Sequence, residues 1–270
     1  MSKFHKIVKY FAVGFATLII GSIISLVMYI VVVLGNVFSD DKGSFNNLEK
    51  LEISGDNYAA LDIETESSNV IIREGSSFKI ESNDKYIRAK ENNNKLIIEE
   101  KKHNWFTDKE VSDLIIYVPF THVFSRVSIE SGAGKVSIES LSTNELDLDL
   151  GAGEVSITNL NVLEKTEIDG GAGEIVLKDS KINNLKLDMG VGNLKIQAKI
   201  LGSSKINSGI GKLDVVLHGN LSDYRIKANK GIGKFNVSGV NASDDTYYGS
   251  GSNFIDIDGG IGEIRVDFKI

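Results

Sequence analysis

Seven copies of one short phrase constrain this chain more than any other feature of it. The phrase runs glycine, small or aliphatic, glycine, polar, apolar, any, apolar. It starts at Gly132, Gly151, Gly171, Gly190, Gly209, Gly231 and Gly260, at spacings of 19, 20, 19, 19, 22 and 29 residues. The second glycines are Gly134, Gly153, Gly173, Gly192, Gly211, Gly233 and Gly262. Three residues before each first glycine stand Ile129, Leu148, Ile168, Leu187, Ile206, Ala228 and Ile257. Four and six residues after it stand aliphatics or Phe235, with mostly polar residues between them. That alternation is the period of a strand with one buried face. The G-x-G lies where one strand hands over to the next, and glycine there permits positive φ and close approach of stacked backbones.

A repeat of this length fits one coil of a β-solenoid, in which equivalent residues of successive coils stack about 4.8 Å apart. A propeller blade needs about twice the length. A β-sandwich also has regular short strands, but constant residue identity in each column favours stacking. The expected fold is therefore all-β, a single-stranded β-solenoid of 19–20-residue coils over residues 121–270. Upstream, LDIETESSNVII (Leu61–Ile72) fits the same frame, with Glu66 in the first-glycine slot. Strand-like runs follow, and residues 48–120 read as a β-rich N-terminal cap that shields the open end.

The first forty residues differ in kind. Tyr10 to Phe38 carries no charged side chain, Lys3, Lys6 and Lys9 precede it, and Asp40 and Asp41 follow. About 20 apolar residues span a bilayer. A cleaved signal peptide would have a shorter apolar run and a small-x-small site. The expectation is a cytoplasmic tail (1–9), a transmembrane helix (10–38) and a polar stalk (39–47). The positive-inside rule then places the C-terminal part outside the cell.

The run Ile116-Tyr117-Val118-Pro119-Phe120, then G-x-G-polar-V-x-I coils behind a membrane helix, resembles a bacterial family of unknown function described as β-strand-repeat, adhesin-like or toastrack domains. The resemblance covers residues 48–270. It implies an envelope-exposed domain, in some cases beside membrane stress-sensing systems, and supplies no catalytic residues.

Composition excludes several chemistries. With no cysteine there are no disulfides, thiol nucleophiles or cysteine metal sites. Net charge is −7, and residues from Asp40 onward sum to −10, which disfavours nucleic acid as a partner. Each G-x-G runs into a strand rather than a helix, so the dinucleotide fingerprint fails. The calcium β-roll pattern fails at Ile175, where it needs aspartate. The four histidines are scattered, and no H-E-x-x-H or G-x-S-x-G occurs. No cofactor is expected.

Three sets of residues remain as candidates. Glu130, Asp149, Asp169 and Asp188 share one column, where a stack of carboxylates could hold calcium or form a solvated face. Trp105 and Phe106 form an aromatic pair between polar runs, and Tyr247 and Tyr248 lie in the longest spacing; both pairs are candidate partner contacts. The expected function is non-catalytic binding or scaffolding at the cell envelope, through an adhesin-like or stress-associated module that meets an envelope protein or wall polymer. The alternatives are a surface polysaccharide-acting enzyme and a passive spacer.

Overall fold

Parallel strands, stacked coil on coil, make up most of the chain. The computed structural model describes residues 48–101 and 112–270, all within one unit, Phe45–Ile270. The expected tail, membrane helix and stalk, and Trp105 and Phe106, lie outside the described residues. Among the described residues no helix is long and apolar enough to cross a membrane.

The strands are β1 (Glu49–Leu51), β2 (Ala60–Thr65), β3 (Asn69–Gly75), β4 (Lys79–Ser82), β5 (Ile87–Asn92), β6 (Lys95–Glu100), β7 (Asp113–Pro119), β8 (Phe124–Ile138), β9 (Leu141–Thr158), β10 (Leu160–Asn183), β11 (Leu185–Leu201), β12 (Ser203–His218), β13 (Tyr224–Asn229), β14 (Ile232–Val237), β15 (Val240–Asn241), β16 (Thr246–Tyr248) and β17 (Asn253–Lys269). The long strands β8 to β12 and β17 each bend at the G-x-G corner without breaking the ladder. They turn again at Asn159, Asp179, Asn184 and Gly202, all at positive φ.

Parallel register sets the stack. From one end the coils are β6 with β7, β2 with β3, β8, β9, β10, β11, β12, β17, and β13 with β14. At about 4.8 Å per step, these nine coils rise roughly 38 Å. Two expectations are corrected here. The solenoid does not begin at residue 121, because the region read as a cap supplies two full coils. Nor do the coils stack in chain order. The seventh repeat, on β17, is interposed between β12 and the sixth repeat, on β13 and β14.

The other end has the same arrangement. β2 and β3 lie between the later β6–β7 coil and β8. Each terminal coil is then covered by antiparallel strands. β4 and β5 pair on β7 and β6, and β15 and β16 pair on β14 and β13. The physical reason is that a bare edge strand is a template for another chain, and antiparallel hairpins fill it locally.

The core follows the predicted columns. Ile129, Leu148, Ile168, Leu187, Ile206, Ile257 and Ala228 are each at most 1% exposed. They stack in register along the axis. Glu66 does stand in the first-glycine slot, since its carbonyl oxygen accepts the Ala133 N–H at 2.8 Å and lies against Gly132.

Candidate functional site

The glycine corner shapes one side of the solenoid. Because the corner residues lack side chains, the backbones of successive coils close up, and the strand residues just before them border an open groove. The groove runs past Asp149, Asp169, Asp188, Asn207 and Asp258, with Leu150, Met189 and Ser208 at its floor. The predicted column is thus real and longer than expected. In stacking order it reads Glu99, Glu64, Glu130, Asp149, Asp169, Asp188, Asn207, Asp258, Asn229. Its first six members are carboxylates, of which Asp149, Asp169 and Asp188 line the groove, with Asp258 further along.

The calcium candidates Glu130, Asp149, Asp169 and Asp188 stand in register on four adjacent strands. Among the described residues no group of three or more histidine, aspartate or glutamate side chains converges on a metal position. The column is relieved by its neighbours. Asn207 donates its side-chain amide to Asp188, and Asn229 donates to Asp258 at 2.6 Å. Lys186 lies 3.5 Å from Asp188, and Lys205 3.3 Å from Asp258. Asp169 has only the charge of Lys186 in its favour. Partial burial pushes its carboxyl upward, Lys186 opposes that, and the charges of Asp188, Glu167 and Asp149 reinforce it. Its neighbour Glu167 is held down to about 2 by hydrogen bonds from Lys165 and Lys186.

Beside the groove lies a feature the sequence reading passed over. The middle residues of the G-x-G phrases form a ridge: Ala133, Ala152, Ala172, Val191, Ile210, Ile261, Ile232. Bulk and exposure rise along it. Ile210 is 49% exposed, Ile261 50% and Ile232 73%. Aliphatics at a corner that packs nothing are unlike the rest of the outer surface, where charges alternate. The signal was present in the sequence as the progression Ala, Ala, Ala, Val, Ile, Ile, Ile, and stacking order adds that exposure rises towards the terminal coil.

The tyrosine pair is divided. Tyr248 is half-buried on the core, and its hydroxyl accepts the Ser243 N–H at 2.9 Å. Tyr247 is exposed and lies near Phe254, with Arg225 over both rings at 5.8 and 5.0 Å. Their segment is the cap of the terminal coil rather than a free loop, because β16 must pair with β13 to cover its edge. The repeat glycines are held by sterics. The second glycines have φ between +142° and +155°, and a Cβ at Gly173 would lie 1.8 Å from the Gly153 carbonyl oxygen.

The family model described as Toastrack DUF4097 matches residues 58–254. The chain belongs to this family. Toastrack membership agrees with the resemblance carried by the G-x-G coils and the Ile116–Phe120 run. Two solved structures are similar to this toastrack chain. A candidate cell adhesion protein from Clostridium sporogenes is 16% identical, over 83% of this chain and 99% of its own, with TM-score 0.39. A candidate adhesin from Bacteroides fragilis is 13% identical, over 82% and 97%, with TM-score 0.48. No curated protein matches the chain.

Proposed function

We propose that this chain is a membrane-tethered, non-catalytic binding module of the cell envelope, and that its glycine-corner groove docks an extended partner. The observation that carries the reading is the groove itself, lined by Asp149, Asp169, Asp188 and Asp258, with the rising isoleucine ridge three residues further along each coil. A strand-like segment with basic and apolar side chains in alternation complements both. The central coils keep their 19–20-residue spacing, so no inserted loops wall the groove into a reaction cleft. Ridge residues contribute apolar burial, and the acid column contributes orientation and encounter rate.

Residues 10–38 form the tether, the three N-terminal lysines stay in the cytoplasm, and the solenoid lies outside. The absence of native cysteine makes this directly testable. A Ser243→Cys chain in intact cells is expected to react with a membrane-impermeant maleimide, and a Ser2→Cys chain only after permeabilisation. The reverse pattern overturns the topology.

Photo-crosslinking amino acids placed at Asp169 and Ile210 in cells test the binding reading. Capture of one defined partner is expected from both positions. Replacing Ile210 and Ile261 together by serine is expected to reduce capture about tenfold or more, since two half-exposed isoleucines bury apolar surface of roughly 1–2 kcal/mol when covered. Capture of nothing from either position would instead mean a passive spacer.

A further inference from the structure

On the side away from the glycine corner, the turn-proximal ends of four successive coils present Lys181, Lys199, His218 and Lys269. Lys181 pairs in register with Lys199, and His218 with Lys269. Ala198 pairs with Leu217 one residue earlier, so Lys199 and His218 are neighbours as well. Lys181, Lys199 and His218 border one shallow depression, and Lys199, His218 and Lys269 border the next. The lysines are exposed. The Nε2 of His218 is buried and makes no hydrogen bond.

Lys186, Lys195, Lys205 and Lys212 each lie within 3.5 Å of a carboxylate on their own or an adjacent coil. Among the described residues, Lys181, Lys199 and Lys269 form no ion pair. Lys178, Lys230 and Lys234 also form no ion pair among the described residues, but they stand singly, whereas Lys186 and Lys205, the other lysines in register with each other, are both paired. Asp179 lines the first depression beside Lys181 and Lys199 without pairing with either, and Asp267 pairs with none of them. Like charges directly opposite on adjacent strands destabilise a sheet, and a body this acidic has carboxylates enough to neutralise them. Three lysines held in line without ion pairs, beside a histidine whose Nε2 makes no hydrogen bond, are arranged for a partner outside the chain.

We propose that this column binds a linear polyanion of the envelope, a phosphodiester polymer lying parallel to the solenoid axis. Lysine ammonium groups suit such a ligand because they act as point charges that tolerate variable phosphate spacing. The column spans about three strand steps, roughly 14 Å, so it meets several charges of one polymer chain at once. The inference goes beyond the groove and does not depend on it: the two surfaces lie on different sides of the coil and carry opposite charge.

The experiment uses the full-length protein in non-ionic detergent, with poly(glycerol phosphate) as the probe. Binding is expected at low salt and should weaken as salt rises, with a log–log slope of about −0.7 per contact made. The triple variant Lys181→Gln, Lys199→Gln, Lys269→Gln is expected to bind about tenfold or more weakly, with a flatter salt slope. Glutamine on an exposed strand position leaves the fold intact, which an unchanged melting profile verifies. The double variant Lys186→Gln, Lys195→Gln removes paired lysines and is expected to bind as the parent does. The Ile210→Ser, Ile261→Ser chain should also bind normally, which separates failure here from failure of the groove reading. The proposal is overturned by absence of low-salt binding, by equal loss in the paired-lysine variant, or by inorganic phosphate competing as well as polymer at equal phosphate concentration.

Discussion

A Gly173→Ala chain is expected to lose about 3–5 kcal/mol of stability, far more than one methyl group ordinarily costs. Two constraints act together at this position. Its φ is +142°, a backbone region that residues with a Cβ rarely adopt. The added Cβ would also lie 1.8 Å from the carbonyl oxygen of Gly153 on the coil below. Neither atom can move alone, because both backbones belong to ladders running through the whole stack. Local relaxation would therefore open the corner of β9, β10 and β11. The matched control is Ala172→Gly, one residue away. Ala172 is half-exposed on the ridge, so the change costs only the backbone entropy of an extra glycine, about 0.5–1 kcal/mol. Thermal unfolding of the full-length protein checks the pair. A drop of about 10 °C or more is expected for Gly173→Ala, and a few degrees at most for Ala172→Gly. Equal melting of Gly173→Ala and the parent would remove the steric account of the repeat.

The second large effect is expected at Glu100. This side chain is 7% exposed. Its Oε2 accepts the backbone N–H groups of Glu66, Ser67 and Ser68 at 2.9, 3.1 and 3.1 Å, and its Oε1 accepts the Ser67 hydroxyl at 3.2 Å. The cause lies in the corner. In the inner coils the backbone of the neighbouring G-x-G covers this position. In the outermost coil β6 ends at Glu100, and the carboxylate takes over the role of acceptor. Glu100→Ala strands those donors and is expected to cost about 3–5 kcal/mol.

The pH dependence follows from the same contacts. Burial pushes the carboxyl up, but the Ser67, Ser68 and Glu66 N–H groups outweigh it, and the group ends below its ordinary value of 4.5. A depressed folded value means the unfolded chain takes up the proton first as pH falls. The contribution of Glu100 is complete above about 4.5 and is lost as pH drops through the folded value. The stability difference between the parent and Glu100→Gln should be constant from neutral pH to about 5 and shrink below 4. A difference that stays flat through pH 3 would contradict this assignment.

The sequence by itself determined the coil. Period-two alternation chose strands, the G-x-G phrase marked the corner, and the columns at Ile168 and Ile175 named the core, because burying one face of a strand requires that periodicity. It also placed Glu66 in register with the glycines, since frame survives when residue identity does not. The acid column was legible for the same reason, although a list of residues could not say that Asn207 and Asn229 would stack into it and donate to Asp188 and Asp258.

Tertiary structure alone decided the order of the coils. Any coil with aliphatics in the right columns can pair with any other, because parallel ladders are made by backbone groups that every residue carries. What breaks the tie is the edge. β13 and β14 carry β15 and β16 as an antiparallel cover, so that coil must be terminal, and β17 fills the place beneath it. The interposition puts Ile261 between Ile210 and Ile232, and brings Lys269 beside His218 across 51 residues of chain. Both proposed surfaces are completed by that step. Neither could be read from the repeat, because a repeat specifies what stacks and only a free strand edge specifies where stacking ends.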